Sequence, residues 1–284
     1  MVISEDRRDG KPLLKYRFDS MRDLYLSADL ALKNEKNGIR AKSSASAGSY
    51  KEKYTHDSSF CGCLYEEAVE RRYSHKEGLE KIREMAGLEA IMHASQYVKH
   101  WSDYDGDTFD IERYQNEQPF LCQRRKVIGS KNRGMFRVIV SIAEPWMVDY
   151  DNMLWKTYAA CRICDELESQ GHRVEILAVS YSRDQHYRYE YTLTEIHIKR
   201  FEESMNLAML CTSLSPWTFR VWMFMVWSHY RKSYSDLGSP CLVEGYYNLG
   251  GQKTAIIIDK GDCLSEESAN NFIRTLDIGS EVDL

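Results

Sequence analysis

Short apolar runs alternate with longer amphipathic stretches in the second half of the chain. Four of these runs are rich in β-branched residues and fit buried strands, namely residues 136–142, 174–180, 192–199 and 254–259. Helical spacing is found in residues 152–170, 202–214 and 217–230, and a last helix begins after Ser265, a good N-cap residue. Gly171 is placed to end the first of these helices. The order of elements predicts an α/β fold with a mostly parallel sheet flanked by helices on both faces.

The first half of the chain is more polar, and its pattern is mainly helical. Residues 21–32 place Leu24, Ala28, Ala31 and Leu32 on one side of a helix, and the pattern of residues 58–101 predicts two or three further helices. Small residues dominate 42–49, which is typical of a linker. These changes predict three parts: a polar N-terminal extension (1–50), an N-terminal helical region (51–118) and an α/β domain (119–284).

Composition and charge exclude several classes of protein. The 284 residues are 43% hydrophobic and 29% charged, which suffices for a core and excludes wholesale disorder. With 38 Lys and Arg against 43 Asp and Glu, the net charge of −5 excludes a surface that is cationic everywhere. The first residues lack the apolar core of a secretion signal, and the longest apolar stretch, 214–227, is too short to span a bilayer. We therefore expect no membrane partner, a cytoplasmic location and reduced thiols for the eight cysteines.

One segment departs from the acidic balance of the chain. Residues 118–143 contain no acidic residue, whereas Arg137 and five further cations fall inside them. Such a segment is either a solvated loop that enters a strand or a strip that contacts phosphates, where each neutralised phosphate adds affinity by releasing counterions. The candidate DNA-binding residues of this segment are Arg124, Arg125, Lys126, Lys131 and Arg133.

Tyrosines cluster in a second segment, residues 181–191, together with Arg183 and Arg188. The pattern fits either cross-strand aromatic packing or a surface on which bases stack. On the second interpretation, Tyr187, Arg188 and Tyr189 are further candidate DNA-binding residues. The aromatic residues of 217–227 have helical spacing, which favours a place in the core.

Other motifs give little support for catalysis. Cys61 and Cys63, with Cys161 and Cys164, would suit a zinc site only if the fold joined the two pairs, and buried thiols are the more common outcome. The acidic loop of Asp103, Asp105, Asp107 and Asp110 lacks the glutamate spacing of a calcium-binding loop. The sequence contains neither a phosphate-binding glycine motif nor a nucleophile elbow. We expect no cofactor, no metal, no catalytic residues and no enzymatic activity.

The order of elements in the α/β part resembles the von Willebrand factor A-like fold. In that fold the first strand leads to a metal-binding Asp-x-Ser-x-Ser, and the corresponding stretch here is Val140-Ser-Ile-Ala-Glu-Pro-Trp146. The resemblance therefore implies a degenerate metal site. Sheets of this kind bind ligands at the carboxyl ends of their strands, so the expected edge comprises residues 141–146, 180–184, 199–201 and 259–262.

Several segments between residues 58 and 230 resemble a family of tailed-phage proteins. They are residues 59–78, Phe109-Asp-Ile-Glu-Arg-Tyr114, Cys122-Gln-Arg-Arg125, residues 167–176, and Leu214-Ser-Pro-Trp-Thr-Phe-Arg220. Within that family the chain is similar to the early middle-transcription protein of podoviruses that carry a heterodimeric, single-subunit-type RNA polymerase. The resemblance implies single-stranded DNA and the phage RNA polymerase as partners, a role in middle-gene transcription, and the host cytoplasm as location.

Three hypotheses of different classes stay open at this point. The first is a non-enzymatic phage protein that binds single-stranded DNA and recruits the phage RNA polymerase. The second is an adaptor or inhibitor of a host factor, which binds protein alone through its aromatic segments. The third is a metal-dependent hydrolase built on Asp103, Asp105 and Asp107, and it ranks last because an acidic turn is usually only a loop.

Overall fold

The fold is taken from a computed structural model, which describes residues 1–39, 46–86, 97–102, 108–109, 114, 118, 120–126, 134–183, 191–230, 239–247 and 254–276. The strands are β1 (Val2–Arg8), β2 (Lys11–Phe18), β3 (Tyr97–Ser102), β4 (Thr108–Phe109), β5 (Leu121–Lys126), β6 (Met135–Ser141), β7 (Arg173–Arg183), β8 (Tyr191–Lys199), β9 (Ser239–Pro240) and β10 (Ala255–Ile258). The helices are α1 (Met21–Lys36), α2 (Ala47–His56), α3 (Tyr65–Glu70), α4 (Lys76–Ala86), α5 (Tyr150–Ser169), α6 (Leu207–Ser213), α7 (Phe224–Tyr230), α8 (Glu244–Tyr247) and α9 (Glu266–Thr275). A π-helical segment, Thr218–Met223, leads directly into α7.

A mixed central sheet organises these elements. Its strand order is β1-β2-β8-β7-β6-β10, and the short β9 pairs with β7. Parallel pairs join β2 to β8, β6 to β7 and β6 to β10, whereas β1–β2, β7–β8 and β7–β9 are antiparallel. The expectation of an α/β fold with a central sheet and flanking helices is therefore confirmed, with more antiparallel pairing than the sequence suggested.

The first strands correct the interpretation of residues 1–50 as a polar extension. Asp9 and Gly10 have φ angles of 51° and 74°, so they form the tight turn of a β1–β2 hairpin. Strand β2 then pairs with β8 inside the central sheet, and its Tyr16 and Phe18 are buried in the main core. The polar composition of this region reflects β1, which is exposed along nearly its whole length.

The main helices cover one face of the central sheet. Leu14 of β2, Val138 of β6 and Ile256 of β10 all join the main core together with side chains of the helices. Side chains alternate along a strand, so Leu13, Ile139 and their neighbours point to the opposite face. There they form a smaller cluster with Val243, from the segment that leads into α8. In the described ranges, the second face carries the four-residue α8 and no long helix, so the expectation of helices on both faces is correct for one face only.

Local sequence signals set the ends of the helices. Asp149 caps α5 in a reciprocal pair with Asn152, and Ser265 caps α9 in the same way with Ser268. Gly171 follows α5 with a φ of 88°, while the His172 amide donates to the Leu167 carbonyl at 3.0 Å. This is the left-handed ending that glycine favours, as the sequence predicts.

Aromatic side chains of the π-helical segment and α7 fill the main core. Trp217, Trp222 and Trp227 are fully buried, which confirms the core interpretation of residues 217–227. Arg220 is buried among them and donates to the carbonyls of Phe60, Pro145 and Val148. No helix in the described parts of the chain has both the length and the hydropathy needed to span a bilayer.

A second, three-stranded sheet has the order β3-β5-β4, with antiparallel pairing throughout. Strand β3 starts at Tyr97, so the helical expectation for residues 58–101 is wrong at its end. It is correct earlier, where α3 and α4 form. Pairing with β5 supplies backbone partners to β3 that a local pattern does not reveal.

Candidate functional site

The sequence-predicted DNA-binding residues are only partly described by the structure. Arg124, Arg125 and Lys126 form the end of β5, where their backbone pairs with that of residues 97–99 on β3. The other candidates, Lys131, Arg133, Tyr187, Arg188 and Tyr189, lie outside the described residues, as does the acidic loop at 103–107 with Asp110. These eight site residues therefore remain predictions.

Neighbours of these candidates make contacts within the central sheet. Arg137, the last cation of the acid-free segment, lies on β6 and pairs with Glu175 on β7. Tyr181 and Tyr191 are buried and stack on each other with 5.5 Å between their ring centres. For these two tyrosines, packing between β7 and β8 is the correct interpretation.

A basic cleft lies on the second face of the central sheet. It is open to solvent, has a volume of about 440 Å³ and falls within the roughly 300–1,000 Å³ range of small-ligand sites. Its walls come from β1, β2, β6, β8 and α8. The lining residues are Asp6, Arg7, Arg8, Leu13, Lys15, Arg17, Arg137, Glu195, Tyr246 and Tyr247. Cationic residues outnumber acidic ones in this lining, although the chain as a whole is acidic.

Arg17 is held in the cleft by a buried carboxylate. Its Nε donates to Oε2 of Glu195 at 2.8 Å, and the Tyr247 hydroxyl donates to the other carboxylate oxygen. The Glu195 side chain is 11% exposed, whereas that of Arg17 is 62% exposed. Burial, followed by the charge of Glu195, raises the pKa of Tyr247, so its hydroxyl stays protonated as the donor. The charge of Glu195 also raises the pKa of Arg17.

Arg137 on β6 is held in the same way, by a glutamate of the neighbouring strand β7. Its Nε donates to Oε2 of Glu175 at 2.6 Å, and Nδ1 of His197 lies 3.1 Å from the other oxygen of the same carboxylate. Glu175 is again buried, whereas the Arg137 side chain is 46% exposed. Two arginines of the cleft are thus fixed through Nε by buried glutamates of adjacent strands.

Two further cations of the cleft, Lys15 and Arg8, lie against a tyrosine ring. The Lys15 ammonium donates to Asp6 at 2.6 Å, which raises the pKa of Lys15, and it lies 5.5 Å from the centre of the Tyr246 ring. The Arg8 guanidinium lies 5.7 Å from the same ring centre and donates to the carbonyl of Gly245. Tyr246 is therefore an electron-rich ring between two cations.

The arginines of the cleft are oriented to bind an anion. A guanidinium carries five N–H donors, and an interaction through Nε leaves the terminal amino groups for another acceptor. Phosphate and carboxylate groups match those paired donors in geometry and charge. Because Asp6, Glu175 and Glu195 already neutralise part of the positive charge, the hydrogen-bond geometry of the arginines matters more here than bulk charge.

The edge at which the von Willebrand resemblance implies a metal holds a different cation. The ammonium of Lys156, on α5, donates to the carbonyls of Ser141 and Asp259 at 3.0 and 2.6 Å and also to the carboxylate of Glu144. A positive charge is already present at the carboxyl ends of β6 and β10, so the residues there do not fit a divalent metal. Within the described residues, no group of three or more His, Cys, Asp or Glu side chains is arranged to hold a metal ion.

The described cysteines are free thiols, and most of them are buried. Cys61, Cys63, Cys161 and Cys164 all lie in the core, as the buried-thiol interpretation predicts. Burial raises the pKa of the Cys63 thiol to about 12, and it raises that of Cys161 as well. Thiols of this kind are poor nucleophiles at neutral pH.

Sequence reasoning missed the basic cleft, although one signal was present. Lys15 and Arg17 alternate with buried residues of β2, which is the pattern of a strand with one polar face. Their partners are far away in sequence, at Glu195, Tyr246 and Tyr247. No local motif joins these segments.

The family described as a domain of unknown function (DUF7192) matches residues 6–280 of the chain. The match includes the last three residues of β1, the whole of β2 and all of α9, so it treats most of the hairpin and the rest of the central sheet as one unit. Comparison with curated proteins and with solved structures gives no match.

Proposed function

The chain belongs to the DUF7192 family, and from the geometry of this member we propose that it is a non-enzymatic protein that binds single-stranded DNA in the basic cleft. The observation that carries the proposal is the pair of exposed arginines, Arg17 and Arg137, each oriented through Nε by a buried glutamate. Their terminal amino groups are the donors for two phosphates of a backbone.

The tyrosines of α8 supply the second part of the interaction. Tyr246 lines the same cleft between Lys15 and Arg8, and in the proposed complex a base stacks on its ring in place of one of these cations, which then contacts phosphate. Stacking of this kind contributes roughly 1–3 kcal/mol per base and is available only where bases are unpaired. A duplex keeps its bases stacked internally, so we expect preference for the single strand.

The affinity of a labelled single-stranded oligonucleotide, measured by fluorescence anisotropy across a salt series, tests the proposal. A charge-assisted hydrogen bond contributes about 1.5–3 kcal/mol, so Arg17→Gln and Arg137→Gln should each weaken binding about tenfold or more. Two phosphate contacts predict a slope of log affinity against log salt on the order of −1.4. Arg22→Gln is the matched control, because Arg22 is an exposed arginine on α1, which packs on the opposite face of the sheet.

The outcomes of this experiment distinguish DNA binding in the basic cleft from DNA binding by the acid-free segment, residues 118–143. If Arg124, Arg125, Lys126, Lys131 and Arg133 carry the binding instead, a slope steeper than about −3 is expected. Charge reversal at Arg124, Arg125 and Lys126 would then weaken binding, while the Arg17 and Arg137 variants would bind as the wild type does. Absence of single-strand binding by the wild-type chain would refute the proposal altogether.

Recruitment of a phage RNA polymerase is the second half of the proposal, and it rests on the resemblance to the tailed-phage family. Pull-down of the polymerase by the tagged chain tests it, with and without nuclease. A DNA-binding recruiter should retain the polymerase and bind DNA as well. Failure of the chain to retain the polymerase with DNA present would refute this half.

One observation favours the alternative, an adaptor or inhibitor of a host factor that does not bind DNA. Trp146 and Met147 are adjacent in the loop after β6, and each is 71% exposed. Large exposed apolar side chains of this kind are enriched at protein interfaces. Nuclease-resistant capture of a host protein, together with no affinity for DNA, would select this alternative.

A further inference from the structure

A fully buried lysine joins the carboxyl ends of two parallel strands. Lys156 lies in the middle of α5, and its ammonium contacts three oxygens, which are the carbonyls of Ser141 and Asp259 and one carboxylate oxygen of Glu144. Three converging oxygens, one of them charged, repel one another in a buried site unless a cation lies between them. The ammonium supplies that positive charge from within the chain.

The ligands of this ammonium are themselves fixed by backbone amides. The Glu144 carboxylate accepts from the Gly261 amide at 3.0 Å. The Asp259 carboxylate accepts from the amides of Val243 and Glu244, both at 2.8 Å. Because Glu244 is the first residue of α8, the Asp259 side chain holds the start of the helix that carries Tyr246 and Tyr247.

A continuous set of contacts therefore links Lys156 to the basic cleft. Lys156 binds the Asp259 carbonyl, the Asp259 side chain binds the start of α8, and the Tyr247 hydroxyl donates to Glu195. Burial lowers the pKa of Lys156, while the adjacent Glu144 opposes that effect. The Lys156 side chain is fully buried, so its three oxygen partners receive their positive charge from this side chain.

We propose that the Lys156 ammonium is a built-in cation that takes the place of a bound metal at the carboxyl edge of β6 and β10, and that it positions α8 through Asp259. Lys156 is thus a positioning residue for Tyr246 and Tyr247. The absence of an Asp-x-Ser-x-Ser pattern after β6 agrees with this proposal, because a divalent ion and the ammonium would compete for the same oxygens.

Chemical rescue tests whether the site is a cation site. Lys156→Ala should lower Tm by roughly 10 °C, because it leaves a buried carboxylate unpaired. n-Propylammonium should then raise the Tm of this variant by several degrees more than n-propanol does. Leu154→Ala is the matched control, since Leu154 is buried on the same helix and leaves an apolar cavity. Equal effects of the amine and the alcohol on Lys156→Ala would overturn the cation assignment.

Hydrogen exchange tests the positioning role separately. Exchange of the Val243 and Glu244 amides should be faster in Lys156→Ala than in Lys199→Ala, compared at denaturant concentrations that equalise global stability. Lys199 is an equally buried lysine, but it contacts Glu168 and the Val174 carbonyl instead of α8. Equal exchange in the two variants would overturn the positioning role. If Lys156→Ala does not fold, Glu144→Gln takes its place in the comparison with Lys199→Ala. This substitution removes the negative charge that pairs with Lys156 and changes the shape of the side chain very little. Neither experiment involves DNA, so the outcome is independent of the proposed function.

Discussion

A buried histidine should make the stability of this protein depend on pH in a defined window. His75 is 2% exposed, its Nε2 contacts the Tyr150 hydroxyl, and its ring packs edge-on against Trp217 with 5.1 Å between the ring centres. Burial, with smaller contributions from Arg71 and Lys81, lowers the pKa of His75 from 6.5 to about 4. The native state thus holds this imidazole neutral where the unfolded chain binds a proton.

The sign and size of the effect follow from proton linkage. Between pH 6.5 and about 4 the unfolded state binds more protons at this residue than the native state, so stability falls as pH falls. The full contribution is about 3 kcal/mol, since one pKa unit corresponds to 1.36 kcal/mol. It is present above pH 6.5, it is lost on acidification through that window, and it does not change further below about pH 4.

Urea unfolding at a series of pH values measures this contribution. Carboxylates titrate in the same range, so the useful quantity is the difference in free energy of unfolding between the wild type and His75→Gln. Glutamine does not titrate. The free energy of unfolding of the wild type, relative to that of His75→Gln, should therefore be about 3 kcal/mol lower at pH 4 than at pH 7. A difference that stays constant with pH would refute the reasoning.

Three further substitutions test the packing of the helical face by thermal or urea unfolding. Gly78→Ala places a Cβ on the His75 ring and the Tyr150 hydroxyl, and it should destabilise the fold by about 1–3 kcal/mol, whereas Ala at Gly48, where the Cβ would make only ordinary van der Waals contacts, should not show such a loss. Arg220→Met leaves three backbone carbonyls without their donor and should lower the free energy of unfolding by about 3 kcal/mol or more; a loss under 1 kcal/mol would contradict this role. Ser265→Ala removes the N-cap of α9 and should cost about 1 kcal/mol, with Ser265→Asp retaining most of the stability.

The sequence predicted those parts of the structure that depend on local pattern. Strands β6, β7, β8 and β10 coincide with the β-branched runs to within a few residues, because a strand buried on both sides needs continuous apolar residues. The Ser265 cap and the Gly171 ending are equally local, since each acts within one helical turn.

The same patterns failed where pairing between strands decides the conformation. Strand β1 has a mostly polar sequence and β3 a mixed one, and their backbone groups pair with those of β2 and β5 respectively. The basic cleft was not predicted for the same reason, since Arg17 and Glu195 are adjacent through the β2–β8 pairing and not through the chain. Charge composition could not locate the cleft either, because a net charge does not report where the charges lie.

The amino-acid sequence by itself determined which segments become strands and helices of the α/β core, because periodicity and capping act over a few residues. Only the tertiary structure decided that the N-terminal hairpin completes the central sheet, that Arg17 and Arg137 share one cleft with Tyr246, and that Lys156 reaches the ends of β6 and β10. Each of these depends on contacts between residues far apart in the chain. Such contacts form only when the hydrophobic core has brought the strands together.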